Sequence, residues 1–343
     1  MLDPRIYRAG LVVAALALVV LAFSLGNQQQ ALSPTLAPQV FDGASVSATM
    51  RSIARDDPTR APGSYGDSAL AAQVAGTLGR TDGLKTASDT FTARTVSGSV
   101  TLDNVIAVRP GMQQGSIAVV APRDGPGVAG AAPTAMLLEL ARDLAGETLH
   151  RSVVLASISG SQGAAGAAEL THELPGPVDA VIVLGDVAAA HPTQPIVLPW
   201  SARSSVAPSL LRNTLAAALS SQASLKVGAA GLGAQFTRLA FPFTLGVQGP
   251  FAAASIPAVE LSLTGERAPL PGEPVAGTGR ITDIGRAVLS AVSALDAGRP
   301  VPAPSPYLLL DGKLVPGGAL SLFSLALLVP VLMTAVDAVA RAR

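Results

Sequence analysis

Three histidines, a few carboxylates at the ends of apolar runs and one serine in a glycine turn are the groups in this 343-residue chain that could do chemistry. Asp124 follows the run SIAVVA, Asp186 follows VDAVIVL, and Ser161 sits in Ser159-Gly160-Ser161-Gln162-Gly163 after RSVVLASIS. A serine between a strand and a helix can serve as a hydrolase nucleophile if a histidine base reaches it and an acid orients that base. His191 and Asp186 are the candidates for those two roles. The simpler reading of Ser161 is an N-cap of the following helix. Gly125-x-Gly127-x-x-Gly130 has the spacing of a dinucleotide fingerprint. The next strand ends without an acid to hold a ribose, and a tight turn explains the glycines equally well. A catalytic zinc needs several His or carboxylate ligands and an open position for water. His150 precedes a strand, His172 lies in a polar helix and His191 precedes Pro192, so each reads as a solvated or locally bonded side chain.

The elements that must position these groups alternate along the chain. Asn104–Val108 and Ser116–Ala121 are short runs rich in β-branched residues and closed by Pro or Gly, as buried strands are. Loop 122–133 leads to Thr134–Leu144, apolar at helical spacing, with Gly146 as a stop. Strand Arg151–Ser159, turn Gly160–Gly163 and helix Ala164–Glu173 follow. This βαβ alternation predicts an α/β fold, a mostly parallel sheet with helices on both faces. Upstream, the spacing predicts helices over Ser45–Ala54 and Ser68–Leu78 and a strand pair, Thr86–Arg94 and Gly98–Val108. Downstream come strands Val178–Leu184, Ile196–Trp200 and Ile256–Leu263, a helix over Val206–Ser220, a loop at Gly228–Gly233 and a last helix over Ile281–Ala294. Asp124, Ser161, Asp186 and Gln248 all fall at or beyond strand ends, on the side where α/β sheets form ligand crevices.

Gly10–Gly26 is an apolar run of 17 residues preceded by Arg5 and Arg8. It reads as a signal anchor at the short end of what spans a bilayer, with a cleaved signal peptide as the rival. A second apolar run, 317–337, is followed by Arg341 and Arg343. The expected order is a cytoplasmic start (1–9), a transmembrane helix (10–26), a tether (27–44), an extracytoplasmic domain (45–298), a Pro-rich linker (299–316), a transmembrane helix (317–337) and a cytoplasmic tail (338–343). The expected location is the cell membrane, with the central domain outside. The lipid bilayer is then a partner, together with a membrane or extracytoplasmic protein.

With 23 basic and 23 acidic residues, the chain has no charge excess for nucleic acid, and 3% aromatics leaves little to stack on bases. No cysteine means no disulfide and no thiolate ligand. Three lysines against many arginines, with much alanine, suggest a GC-rich bacterial genome.

The order NVIAV, strand, x-x-Asp, Gly-rich loop, LLELAR helix, strand, G-x-x-G turn resembles the M28 family of zinc aminopeptidases, over roughly Arg60 to Leu263. In that family the second strand ends in His-x-Asp, the loop reads close to GANDNASG, and the third strand ends in Glu-Glu. Here Pro122-Arg123-Asp124 stands for His-x-Asp, Ala129 for the bridging acid and Gly160-Ser161 for the acid pair. Asp186 matches the family's strand-end Asp ligand, and Gln248 replaces its last His, while Ile256-Pro257-Ala258-Val259 keeps the frame. The resemblance implies a zinc-exopeptidase-like mixed sheet that has lost its metal ligands: no cofactor, no peptidase activity, and a binding or scaffold role. Its layout is similar to the peptidase-like subunit of the GPI transamidase. The alternative is an active hydrolase, with unusual metal ligands or dependent on Ser161.

Overall fold

The computed structural model describes residues 4–34, 41–95 and 98–342. Parts of the expected tether and of both cytoplasmic ends (1–3, 35–40, 343) lie outside the described residues. In chain order the elements are α1 (Pro4–Phe23), β1 (Gly26–Asn27), α2 (Gly43–Asp56), α3 (Tyr65–Gly79), β2 (Lys85–Thr95), β3 (Gly98–Arg109), β4 (Ser116–Pro122), α4 (Ala132–Leu144), β5 (Ser152–Ile158) and α5 (Ala165–Glu173). Then come β6 (Val178–Leu184), β7 (Val197–Leu198), α6 (Ser209–Ala223), α7 (Leu232–Ala240), α8 (Gly249–Ala253), β8 (Ala258–Leu261), α9 (Thr278–Ala297), β9 (Tyr307–Leu310), β10 (Lys313–Pro316) and α10 (Gly317–Ala342).

Seven strands form one mixed sheet in the order β2-β3-β5-β4-β6-β8-β7. The inner four, β5-β4-β6-β8, are parallel, and the outer β2, β3 and β7 pair antiparallel. The period-two alternation of strands divides β4 cleanly. Ile117, Val119 and Ala121 face the larger core beneath α2, α4, α6 and α9, while Ala118 and Val120 face a smaller core with α5 and α8. Because both faces are covered, β4 reads as an unbroken apolar run. The α/β class and the mixed sheet expected from sequence are found.

A second sheet, β1-β10-β9, lies outside the main one and forms partly within the residues expected to be linker. It packs through Tyr307 onto Leu198, Trp200 and Val206, and Val206 forms a bridge with Ser305. Segment 28–34 also docks on the domain: Gln29 N–H donates to Ser209 (3.3 Å) and Leu32 N–H to Thr214 (3.0 Å), both on α6.

The expectation of a membrane-length helix at each end needs correction. Among the described residues only α10, over Gly317–Arg341, is long and apolar enough to cross a bilayer. The apolar part of α1, Arg8–Phe23, is shorter than a span requires. The two helices pack together. Gly10 lies against the ring of Pro330, where a Cβ would not fit, and Ala17 and Ala326 are buried on helices that otherwise expose leucine and valine. Small residues at such a contact let helix backbones approach closely.

Candidate functional site

The carboxyl ends of β5, β4, β6 and β8 stand side by side, so the sheet brings the loops carrying Ser161, Asp124, Asp186 and Gln248 to one edge. It does not join them into one hydrogen-bonded site.

Arg60 anchors the loop after β4. Its guanidinium donates to the carbonyls of Arg123 (3.2 Å), Gly125 and Gly127 (2.7 Å). Gly125 and Gly130 touch backbone to backbone with no room for a Cβ on either, and Gly127 adopts a left-handed φ of 64°. The glycine spacing therefore serves the loop's own closure, in place of a cradle for a pyrophosphate. Ala129 is buried in a short 3₁₀ turn and Pro122 ends β4, so neither carries a donor at the position the family pattern reserves for a ligand.

Arg123 points inward and is fully buried. Its Nε lies 2.7 Å from Asp67 Oδ1, and its other nitrogens donate to the carbonyls of Ser157 (3.2 Å) and Asp103 (2.6 Å). Asp67 Oδ2 accepts from Ser159 Oγ (2.6 Å) and Gly63 N–H (3.0 Å). Arg123 is thus a structural cation.

Gly160 turns the chain with φ 73°, and Ser161 then donates both its N–H (2.8 Å) and its hydroxyl (3.0 Å) to Asp124 Oδ2. Burial raises the Asp124 carboxyl above its ordinary range, and the two Ser161 bonds oppose that rise. The hydroxyl points at an acid. Among the described residues no hydrogen bond links His191 to Ser161 or Asp186, so the serine nucleophile with a histidine base is not assembled. The expected N-cap is absent too: α5 begins after Ala164 in a left-handed conformation, without a side-chain cap.

Asp186 accepts from Ala188 N–H (3.1 Å) and Thr264 Oγ1 (3.1 Å), and burial raises its pKa. Gln248 is fully buried. Its Nε2 donates to the carbonyl of Trp200 (3.1 Å) and to Thr244 (3.1 Å), while its Oε1 has no partner.

Sequence reasoning passed over the acid beside it. Glu260 lies in β8, one residue before its end, and is 6% exposed. Its Oε2 accepts from Val247 N–H (2.9 Å), and Gly246 approaches both Glu260 and Gln248 so closely that a Cβ there would meet both side chains. No described cation pairs with it. Burial pushes its pKa up to about 7. The available signal was the acid itself, placed inside the apolar run IPAVELSL.

The side chains at these strand ends do not fit zinc. No imidazole stands among them, and both Asp186 oxygens already hold donors. The one described group of three acids close enough to share a cation, Asp89, Glu169 and Glu173, lies on β2 and α5 and is carboxylate-only.

No family model and no curated protein matches the chain. Solved structures do. The glutaminyl cyclase of an Acidobacteriales bacterium superposes with a TM-score of 0.57 at 17% identity, covering 76% of this chain and 97% of that one. The Porphyromonas gingivalis glutaminyl cyclase gives 0.55 at 17%, with 74% and 98% covered. A leucine aminopeptidase precursor from Bacteroides thetaiotaomicron gives 0.55 at 14%, with 76% and 99% covered. The domain therefore has the fold shared by zinc-dependent exopeptidases and glutaminyl cyclases. These findings also correct the expectation of a domain without enzymatic activity. The structures it matches over about three-quarters of its length are those of enzymes.

Proposed function

We propose that this chain is a membrane-anchored enzyme that processes the amino-terminal residue of peptide-like substrates, using carboxyl groups at the ends of β4, β6 and β8 to move protons. The observation that carries this reading is Glu260, a buried acid without a cation whose pKa is pushed up to about 7. A group half protonated near neutral pH can both accept and return a proton, which is what general acid–base catalysis requires. Strongly shifted carboxyls concentrate at functional sites. Cyclisation of an amino-terminal glutaminyl residue and removal of an amino-terminal leucine both move a proton from the attacking group to a departing nitrogen. The names of the structural neighbours point to these two chemistries. α10 supplies the anchor, and the arginines after it favour a domain facing away from the cytoplasm. The similar layout of the peptidase-like subunit of the GPI transamidase supports that arrangement. The protein partner is then a peptide segment held at the strand ends.

The test is turnover by the full chain in nanodiscs. One peptide begins with glutamine and is followed by ammonia release; the other begins with leucine and is followed by leucine release. One of the two should be converted, and Glu260→Gln should lower the rate by about 10²-fold or more. No conversion of either, or a Glu260→Gln variant as fast as the parent, would overturn the proposal.

A further inference from the structure

No Asp or Glu occurs between Asp186 and Glu260, although the chain holds 23 of them. Within that acid-free stretch lies an exposed apolar surface. Leu232 and Phe236, one turn apart on α7, are about half exposed, and Phe241, Phe243 and Leu245 follow in the next segment, with Phe241 73% and Leu245 72% exposed. The apolar stripe of α7 is wider than the surface it covers. Gln235 and Leu239 face inward, Leu239 onto the cluster around Trp200, while Leu232 and Phe236 continue the same stripe into solvent. Phe243 is held by Arg238, whose guanidinium lies 4.3 Å from its ring centroid and is fixed in turn by Glu266 (2.7 Å).

The small sheet fixes where this surface stands. Gln235 clips α7 onto edge strand β9, donating to the Leu309 carbonyl (3.2 Å) and accepting from its N–H (2.8 Å). β9 pairs with β10, and β10 runs directly into α10, where Gly317 N–H donates to the Pro306 carbonyl (2.8 Å). β1, two residues beyond the end of α1, pairs with the other side of β10. α7 thus stands about two strand spacings, roughly 10 Å, from the strand that becomes the membrane helix.

We infer that α7 and the segment 241–245 form a second membrane contact, lying in the headgroup region of a bilayer with Leu232, Phe236, Phe241, Phe243 and Leu245 against the acyl boundary. A short amphipathic helix with Leu and Phe on one face suits that interface, with Arg238 already neutralised by Glu266 (2.7 Å). Its continuity with the anchor through β9 and β10 selects lipid over a soluble partner. The contact fixes the tilt of the domain and sets the strand-end edge at a defined height above the lipid. This inference rests on α10 spanning the membrane, and the test separates the two.

The chain has no cysteine, so single labels are simple to place. Phe236→Cys and Phe243→Cys carry an environment-sensitive dye in full-length protein, reconstituted in phosphatidylcholine–phosphatidylglycerol vesicles with brominated lipids. Leu325→Cys, within α10, reports the span. Tyr65→Cys, on the α3 that packs against β2 and β3 at the far edge of the main sheet, reports solvent. The labels at 236 and 243 should be quenched by bromines near the headgroup at least about twofold more than the label at 65. Deep bromines should quench 325. Quenching at 325 with 236 and 243 matching 65 would overturn the inference and assign the patch to a protein. No quenching at 325 would overturn the anchor and this contact together.

Discussion

At the β4–β5 end of the strand row, Arg123 sits on Asp67 at 2.7 Å, and Asp67 also takes the Ser159 hydroxyl and Gly63 N–H. At the β8 end, Glu260 is nearly as buried but pairs with no described cation. Both places hide a carboxyl from water, with opposite results. Burial beside an arginine makes an ion pair that links the loop after β4 to the start of α3. Burial without one favours the neutral form and leaves a group that exchanges a proton near neutral pH. The first kind of site holds the edge in shape, and the second can do work there.

Removing Arg123 tests the structural half most severely. Arg123→Ala leaves Asp67 buried with hydrogen-bond donors but no counter-charge, and should cost about 3–5 kcal/mol in denaturant unfolding of the solubilised protein. A loss below about 1 kcal/mol would show that the pair does not secure the edge.

The proton-holding half predicts a pH dependence. The folded-state pKa of Glu260 is raised from 4.5 to about 7, so the folded protein binds more protons than the unfolded chain between those values. The contribution of Glu260 is fully present below about pH 4.5 and is lost as pH rises through about 7. It amounts to on the order of 3 kcal/mol. Glu260→Gln keeps an acceptor for Val247 N–H and cannot ionise. It should flatten the slope and be the more stable form at about pH 8. Equal slopes for parent and variant would mean that Glu260 is ionised throughout.

Much of this contrast could not be read from the sequence. β4, β5 and α4 were legible because burial on both faces and a helical period leave long, regular patterns. Asp124 and Ser161 were legible as strand-end residues, but their contact depends on β5 lying beside β4, which only the sheet order provides. The burial of Arg123 was not legible, since nothing local reveals that α3 delivers Asp67 to it. Glu260 was hidden because its neighbours match a familiar apolar frame. The loop expected at Gly228–Gly233 overlaps the start of α7, and the nine-residue helix between Gly231 and Phe241 is too short for its period to stand out. β9 and β10 were hidden behind PVPAPSP, whose prolines read as linker. In each case the missing information was tertiary: which element arrives opposite the residue.

Two smaller effects sharpen the comparison. Asp186 holds only a backbone N–H and a threonine hydroxyl, so Asp186→Asn should shift stability by about 1–2 kcal/mol in the same unfolding assay. Ser161→Ala removes one of two bonds to Asp124 while the backbone N–H bond remains, so it should cost about 1 kcal/mol and leave turnover within about threefold. A Ser161→Ala protein that folds normally but has lost all activity would restore the serine nucleophile and move the chemistry to the β5 end.

The most direct test of the account is the pH–rate profile of the full chain in nanodiscs after dialysis against a metal chelator, parent beside Glu260→Gln. The account predicts that activity survives the chelator and that the profile bends near pH 7 in the parent. The bend should be absent from the residual activity of the variant. Activity that vanishes with the chelator and returns with added zinc, or a bend that persists in Glu260→Gln, would contradict it.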